Sequence, residues 1–458
     1  MVFPEEFLRR MEEMMGEEYP AFAASLEKDK VQGLRANPLK IQPEPLAGLL
    51  PFPVKPVPWT AEGFYYDAAD RPGRHPYHDA GLYYMQEPSA MSAVEALDIR
   101  PGQRVLDLCA APGGKSSQIA GRMLGQGILV SNEIIPGRAK ILAQNLERMG
   151  VSNVVILNEE SGKLASRLPE FFDRILVDAP CSGEGMFRKD PEACKEWSPE
   201  NVDMCARRQL EILQNAAAML KPGGRLVYST CTFSPAENEQ TVEALLKAVP
   251  SLSLTDTGIS AFFSPGRREW CSGSAPVEKT VRVWPHLTNG EGHFVAAFEK
   301  AAEGYFSPEP ALKFSVPTDA EALFLQFCEE TLTTLGQVLT AGPKMLMGSE
   351  LYRLPTGAFP LDGLRVIRPG LHLGSCRKGR FEPSHSLAMA LPGAAVQRSV
   401  SFTPDQPETL AFLRGETLNL DRPKGWLTVQ VDGYPLGWAK SAGGTLKNHY
   451  PKGLRRMG

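Results

Sequence analysis

Leu106-Asp107-Leu108-Cys109-Ala110-Ala111-Pro112-Gly113-Gly114-Lys115-Ser116 is the stretch that decides the fold. It follows a short apolar run, Arg104–Cys109, that reads as a strand, and it opens a segment, Lys115–Leu124, that reads as a helix. The small residues between them let a ligand approach the backbone, and the helix start offers free N–H groups. Two phosphate-binding readings fail here. A P-loop needs Gly six residues before its Lys, where Cys109 stands, and the dinucleotide pattern G-x-G-x-x-G is absent.

The pattern extends outward from this turn. Gly127–Asn132, Asn153–Leu157, Arg174–Asp178 and Arg225–Ser229 read as further strands. Pro136–Met149, Asn201–Leu220 and Pro235–Ala248 read as helices between and after them, and Val281–Leu287 with His293–Phe298 reads as a terminal antiparallel pair. Alternating strands and helices predict an α/β fold with a doubly wound, mainly parallel sheet, whose ligands bind at the carboxyl ends of the strands. Flanking regions differ. Residues 1–75 predict a small α+β domain, with a helix carrying Phe7, Leu8, Met11, Met14 and Met15 at core spacing. Residues 76–300 form the sheet domain. Residues 301–370 begin as Pro-spaced linker and hold one helix, Ala320–Leu335. Residues 371–458 predict a small β-rich barrel.

Composition narrows the class. The 458 residues include 42 Gly and 39 Pro, well above the roughly 12 % combined usage of average proteins, which implies many loops. The 43 % hydrophobic and 22 % charged fractions are those of a globular chain rather than a disordered or fibrous one. No apolar run approaches the ~18 residues of a membrane span, and the acidic, amphipathic start does not resemble a signal peptide. A cytoplasmic protein without membrane association is expected. The eight cysteines show no metal-ligand spacing, so no metal site is expected. The net charge of −4 conceals an asymmetry, since residues 361–458 hold 14 Lys and Arg against 7 Asp and Glu. Such a basic module can meet a polyanion, although a solvated positive face has the same composition.

Three further features bear on chemistry. Asn132-Glu133 ends the second strand, where a carboxylate can accept from both hydroxyls of a ribose or cap the helix that begins at Pro136. Phe172–Gly183 ends a strand with Asp178-Ala179-Pro180-Cys181. Leu226–Thr232 ends another with Thr230-Cys231. A free Cys is usually a small buried hydrophobe, but two at one sheet edge beside a ligand-binding turn point to thiol chemistry.

These segments resemble the Sun-type family of RNA cytosine-C5 methyltransferases. LDLCAAPGGKSSQ (Leu106–Gln118) matches its S-adenosyl-methionine turn, FDRILVDAPCSGEGMFRKDP (Phe172–Pro191) its signature, and YSTCTFSPAENE (Tyr228–Glu239) its second cysteine motif. LYYMQEPSAM (Leu82–Met91) resembles the segment that precedes the fold. GWAKSAGGTLKNHYPKGLR (Gly437–Arg455) resembles a C-terminal PUA-like RNA-binding domain. The likeness implies a Rossmann-like methyltransferase sheet, S-adenosyl-L-methionine as cofactor, and ribosomal RNA or the small ribosomal subunit (16S RNA) as substrate, with no obligate protein partner.

The implied mechanism is covalent. A thiolate adds to C6 of cytosine, C5 becomes enamine-like and takes the sulfonium methyl, a base removes the C5 proton, and the thiolate leaves. The resemblance makes Cys231 the nucleophile and gives Cys181 a role in resolving the adduct and releasing product. Spacing alone leaves the reverse open, because DNA cytosine methyltransferases attack with the Cys of a Pro-Cys pair, here Pro180-Cys181. Asp178 falls to the cytosine amino edge or the methyl-donor side, and Lys115 to orienting the base or stabilising developing charge. Cofactor-binding positions map onto Cys109, Ala110, Ala111, Pro112, Gly113, Gly114, Lys115, Glu133, Arg138 and Asp178. The family's acidic or polar residue after the third strand corresponds to Asn158 or Glu160. Tyr83, Tyr84, Phe187 and Trp197 each read as core, with RNA stacking as the alternative. Arg365, Arg368, Arg377, Lys378, Arg380, Lys440, Lys447, Lys452, Arg455 and Arg456 form the expected phosphate-contacting module. Competing readings are a non-catalytic ribosome-assembly or RNA-binding factor, a C5 methyltransferase of another RNA such as tRNA, and a nitrogen- or protein-directed methyltransferase. Thr230-Cys231 speaks against the last.

Overall fold

The computed structural model describes residues 3–273, 275–302 and 316–456. The Pro-spaced linker expected after residue 301 lies largely outside the described residues. A large sheet dominates the middle of the chain. Its five parallel strands are ordered Leu220–Thr230, Phe172–Asp178, Arg104–Asp107, Ile128–Asn132 and Val154–Leu157. Ile128–Asn132 and Val154–Leu157 are buried at every position, as strands covered on both faces must be. His293–Lys300 adds antiparallel beside Leu220–Thr230, and Val281–Val283 pairs with it in turn.

The order of connection reverses at Arg104–Asp107. From that strand the chain runs outward through Ile128 and Val154, then returns to Phe172 on the other side. A crevice forms beyond the strand ends at such a switch point. The helix Gly114–Met123 leaves from there, entered through Gly113 at φ 110°, a left-handed turn that glycine makes without steric cost.

The flanking regions are tied into this sheet rather than strung beside it. The first helix, Glu5–Met15, buries Phe7, Met11 and Met15, one stripe of an amphipathic helix. It rests on Phe187 and Trp197, with ring centroids 5.1 and 6.0 Å from Phe7. Tyr83, Tyr84, Phe187 and Trp197 are all buried, so they serve packing and are not open to RNA bases. A four-stranded sheet, in the order Lys55–Pro56, Gly63–Tyr65, Gly33–Ala36 and Tyr83–Met85, completes the N-terminal region.

The C-terminal region departs from the expected single barrel starting at residue 371. One antiparallel sheet begins upstream of that point, with strands Lys344–Met347, Glu350–Arg353, Leu371–Arg377 and Arg380–Pro383. A second, mixed sheet contains Ser399–Phe402, Gly425–Val431, Tyr434–Ser441 and Leu446–Asn448, its first two strands parallel. Between two strands of the first sheet, Val366–Arg368 crosses over and pairs antiparallel with Val154–Leu157. Lys344–Leu346 is only half-buried and Met347 exposed, so the period-2 alternation that marks a strand is faint there. Leu34, Phe64 and Tyr83 of the N-terminal sheet share one apolar core with Val400, Leu427 and Val429 of the last sheet and with Phe412 of the helix Pro407–Arg414. Tyr77 donates to Asp432 across this junction at 2.6 Å, and Arg456 pairs with Asp79. Among the described residues no helix is long and apolar enough to cross a membrane.

Candidate active site

Register brings the site together. Asp178 and Ser229 are cross-strand partners at the ends of adjacent parallel strands. The Ser229 hydroxyl donates to Asp178 Oδ1 at 2.8 Å, and Lys115 Nζ meets Oδ2 at 2.7 Å. Burial works against ionisation of Asp178, but Lys115 and His293 outweigh it and hold the carboxyl well below its ordinary range. Burial likewise pulls at the Lys115 ammonium, and Asp178 more than compensates, leaving it above its ordinary value. The pair is therefore ionic around neutrality.

The two thiols sit beyond this pair, with their sulfurs 3.3 Å apart. The contact with Cys231, joined by burial, pushes the Cys181 thiol well above its ordinary value. Either sulfur can be the donor in this contact, and both thiols face the cleft in front of them.

Glu237 binds the two loops that carry these thiols. It accepts from the Ser182 N–H at 2.9 Å, the Ser182 hydroxyl at 2.6 Å, the Thr232 hydroxyl at 3.0 Å and Gln209 Nε2 at 3.0 Å. Gln209 also reaches the Pro180 carbonyl at 3.0 Å. Gly185 N–H donates to the Cys231 carbonyl at 2.8 Å. A Cβ on Gly185 would lie 3.0 Å from that same oxygen, so a side chain there would push the loops apart.

A cleft of about 670 Å³ opens in front. Cys109, Ala111, Glu133, Arg138, Glu160, Asp178, Cys181 and Cys231 line it. Ile134, Ile135, Ser161, Arg208, Glu211 and Ile212 line it too, and the sequence singled out none of these. They come from a strand-end loop, a short helix and the long helix Pro199–Met219, whose side chains carry no local motif. Burial pushes the Cys109 thiol far up, so it is a neutral wall of the cleft. Glu133 does two tasks, accepting from the Ile135 N–H at 2.9 Å while its other oxygen faces Arg138 at 3.5 Å. Arg138 also donates to the Ala111 carbonyl at 3.0 Å, pinning the Gly-rich turn.

Other expected site residues act through the backbone. Ala110 N–H donates to Asn132, and the Pro112 carbonyl accepts from Asn145. The Gly114 carbonyl accepts from Arg35, a fully buried arginine of the N-terminal sheet that also reaches Ser117 at 2.6 Å. Asn158 is buried and spends its amide on the Glu133 and Ile134 carbonyls at 2.6 and 2.8 Å. It shapes the cleft wall, whereas Glu160 faces the cleft.

The cleft fits a sulfonium nucleoside. A carboxylate at the second strand end, apolar walls from Ile134, Ile135 and Ile212, and acidic Glu133, Glu160 and Asp178 suit a ribose, an adenine and a positive centre. Asp107, just below, is fully buried, with one carboxyl oxygen lacking a hydrogen-bond partner. Burial pushes it up to about 7 against the pull of the Ser116 hydroxyl.

Of the expected phosphate-contacting module, Lys378 and Arg380 are exposed, while several arginines are engaged within the fold. Arg365, Arg377 and Arg456 are ion-paired with Glu159, Glu350 and Asp79, and Arg368 is buried. These arginines hold parts of the fold together. Lys440 and Lys447 remain exposed and face each other across adjacent strands, an arrangement that costs stability between like charges unless an anion offsets it. Exposed Lys424 and Lys452 belong to the same region.

Comparisons with known proteins converge on one group. Residues 94–299 match the family described as 16S rRNA methyltransferase RsmB/F. Residues 3–88 match the N-terminal domain of 16S rRNA methyltransferase RsmF, 326–391 its first C-terminal domain and 399–456 its PUA domain. The ribosomal RNA small subunit methyltransferase F of Erwinia tasmaniensis is 34 % identical over 475 residues, covering 100 % of this chain and 97 % of that protein. Its namesake from Klebsiella pneumoniae is 35 % identical over 474 residues, with the same coverage. The crystal structure of a methyltransferase homolog protein from Pyrococcus horikoshii superposes with a TM-score of 0.57 at 30 % identity, covering 65 % of this chain and 95 % of that one. On the full-length likeness and the match of each region in order, the chain belongs to the 16S rRNA methyltransferase RsmB/F family.

Proposed function

We propose that the protein is an S-adenosyl-methionine-dependent cytosine-C5 methyltransferase acting on small-subunit ribosomal RNA through a covalent Cys231–C6 adduct. The observation that carries this reading is the pair of strand-end thiols 3.3 Å apart above the Asp178–Lys115 ion pair. A nitrogen-directed enzyme has no use for two thiols at the reacting edge.

Each residue has a task in this reading. Cys231, whose sulfur lies 3.3 Å from that of Cys181, adds to C6 as the thiolate. Asp178 accepts from the exocyclic amino group, and Lys115 lies beside the ring, where charge develops on addition. A base then takes the C5 proton, the released electron pair forms the C5–C6 double bond and expels the Cys231 thiolate, and Cys181 is placed beside that sulfur to take part in the release. The choice of Cys231 over the Cys of the Pro-Cys pair rests on the resemblance of Tyr228–Glu239 to the family's second cysteine motif. Glu133, Glu160, Ile134 and Ile135 would hold the cofactor, which supplies an electrophilic methyl group. The exposed Lys424, Lys440, Lys447 and Lys452 give RNA phosphates a docking face outside the cleft.

The test is nucleoside mass spectrometry of naked small-subunit RNA and of assembled subunits, each incubated with the protein and labelled S-adenosyl-methionine. Labelled 5-methylcytosine that disappears with Cys231→Ala is expected. Label on a nitrogen, or an unchanged rate in that variant, would refute the assignment.

A further inference from the structure

One buried polar side chain faces the reacting edge and belongs to none of the sequence motifs. His293 opens the antiparallel strand His293–Lys300, whose pairs with the neighbouring strand end at Phe294↔Thr230. Its register places it one step further, level with Cys231. Opposed residues of an antiparallel pair share a face, so His293 lies on the side where Ser229 meets Asp178.

The contact itself is incomplete. His293 is 4 % exposed, and its Nε2 lies 3.6 Å from Asp178 Oδ1, too far for a hydrogen bond. That nitrogen has no other partner, although burial strips it of water. Oδ1 is otherwise held by Ser229, and Oδ2 by Lys115. Resting on the function proposed above, a cytosine amino group arriving at Oδ2 competes with Lys115 and would let the carboxylate rotate. A donor waiting on the Oδ1 side limits that rotation, at a shift of about half an ångström, well within side-chain motion.

We propose that His293 is a positioning residue for methyl transfer, its Nε2–H gripping Asp178 Oδ1 when the nucleobase engages Oδ2. The neutral or protonated ring can serve, since either can carry hydrogen on Nε2. The role needs a donor at that point rather than a charge.

The test compares His293→Leu, His293→Gln and His293→Asn in the full chain, measuring kcat, KM for RNA and for S-adenosyl-methionine, and Tm. The Gln amide reaches the position of Nε2, whereas the shorter Asn amide does not. His293→Leu and His293→Asn should lower kcat by about 10- to 100-fold, the scale of misplacing a reacting group, with KM for S-adenosyl-methionine within about twofold. His293→Gln should recover most of the loss. Wild-type kcat in His293→Leu, or equal losses in Gln and Asn that track Tm, would overturn the proposal. Should His293→Leu fail to fold, the Gln and Asn variants decide alone. A wild-type protein that forms no 5-methylcytosine would instead bring down the function proposed above, and this role with it.

Discussion

The carboxyl edge of the large sheet and the outer face of the last sheet are both rich in charge, but they handle it in opposite ways. At the sheet edge, Asp178, Lys115, Glu133 and Arg138 each have a charged partner within 3.5 Å. On the last sheet, Lys440 and Lys447 stand side by side and exposed. Paired charges in a cleft hold defined positions, because moving one uncovers the other. Lys440 lies over the Trp426 ring at 5.0 Å, but what exposed lysines offer a polyanion is mainly a sum of charges. Substitutions at the edge should therefore act steeply and individually, while substitutions on the last sheet should act mildly and additively.

The largest effect is expected at Cys231. Cys231→Ser should lower methyl transfer by roughly 10⁴-fold or more, as loss of a covalent nucleophile does, while S-adenosyl-methionine still binds by calorimetry. Cys181→Ser should differ in kind, trapping a protein–RNA adduct visible on a denaturing gel. If the two variants behave alike, the thiols are not specialised.

Next in size is Glu237. Glu237→Ala leaves the buried Ser182 N–H without its acceptor and the Ser182 hydroxyl with Thr232 alone, at a cost of about 1–3 kcal/mol in chemical denaturation. It should also lower kcat by freeing both thiol loops. Retained activity in a destabilised protein would show that the loops keep their spacing without it.

A smaller and additive effect is expected from the lysines. Lys440→Ala and Lys447→Ala should each weaken RNA binding and reduce the slope of log affinity against log salt by about 1, with cofactor binding unchanged. A double variant that loses much more than the sum would mean these lysines act as a fixed site after all.

The smallest effect concerns pH and stability. Asp107 titrates near 3.8 when unfolded, and burial pushes it up to about 7 in the folded protein. The folded state thus favours the protonated acid. The associated stability is complete below about pH 4 and drains away as pH rises to about 7. Asp107→Asn should remove that dependence, so its Tm should gain on wild type by a few degrees between pH 4 and pH 8. Parallel Tm curves would show Asp107 to be satisfied when ionised.

What the sequence disclosed follows from range. The turn at Leu106–Ser116, the alternating strands and both thiols were legible because each is written within about a dozen neighbouring residues. His293, Glu237 and Arg35 were not, because their meaning depends on partners far along the chain: Asp178, Ser182 and Gly114. The resemblance offered Asn158 or Glu160 as the polar contact after the third strand, and the Asn158 side-chain nitrogen donates instead to the Glu133 and Ile134 carbonyls. Val366–Arg368 could not be read as part of the main sheet, since three residues carry no period and only pairing with Val154–Leu157 makes them a strand. The basic residues misled for the same reason. Composition counts charge but does not reveal that Arg365, Arg377 and Arg456 already have carboxylates.

The apolar core shared by Leu34 and Phe64 with Leu427 and Val429 has a consequence during synthesis. The N-terminal sheet leaves the ribosome first, but the residues that cover its apolar face come almost four hundred codons later. At roughly 5–20 residues per second, that face waits on the order of 20–80 s for its cover. A nascent chain with such a delay is a natural client for a chaperone that binds exposed apolar surface. Truncations that remove the last sheet should then be lost to aggregation rather than yield a smaller working enzyme.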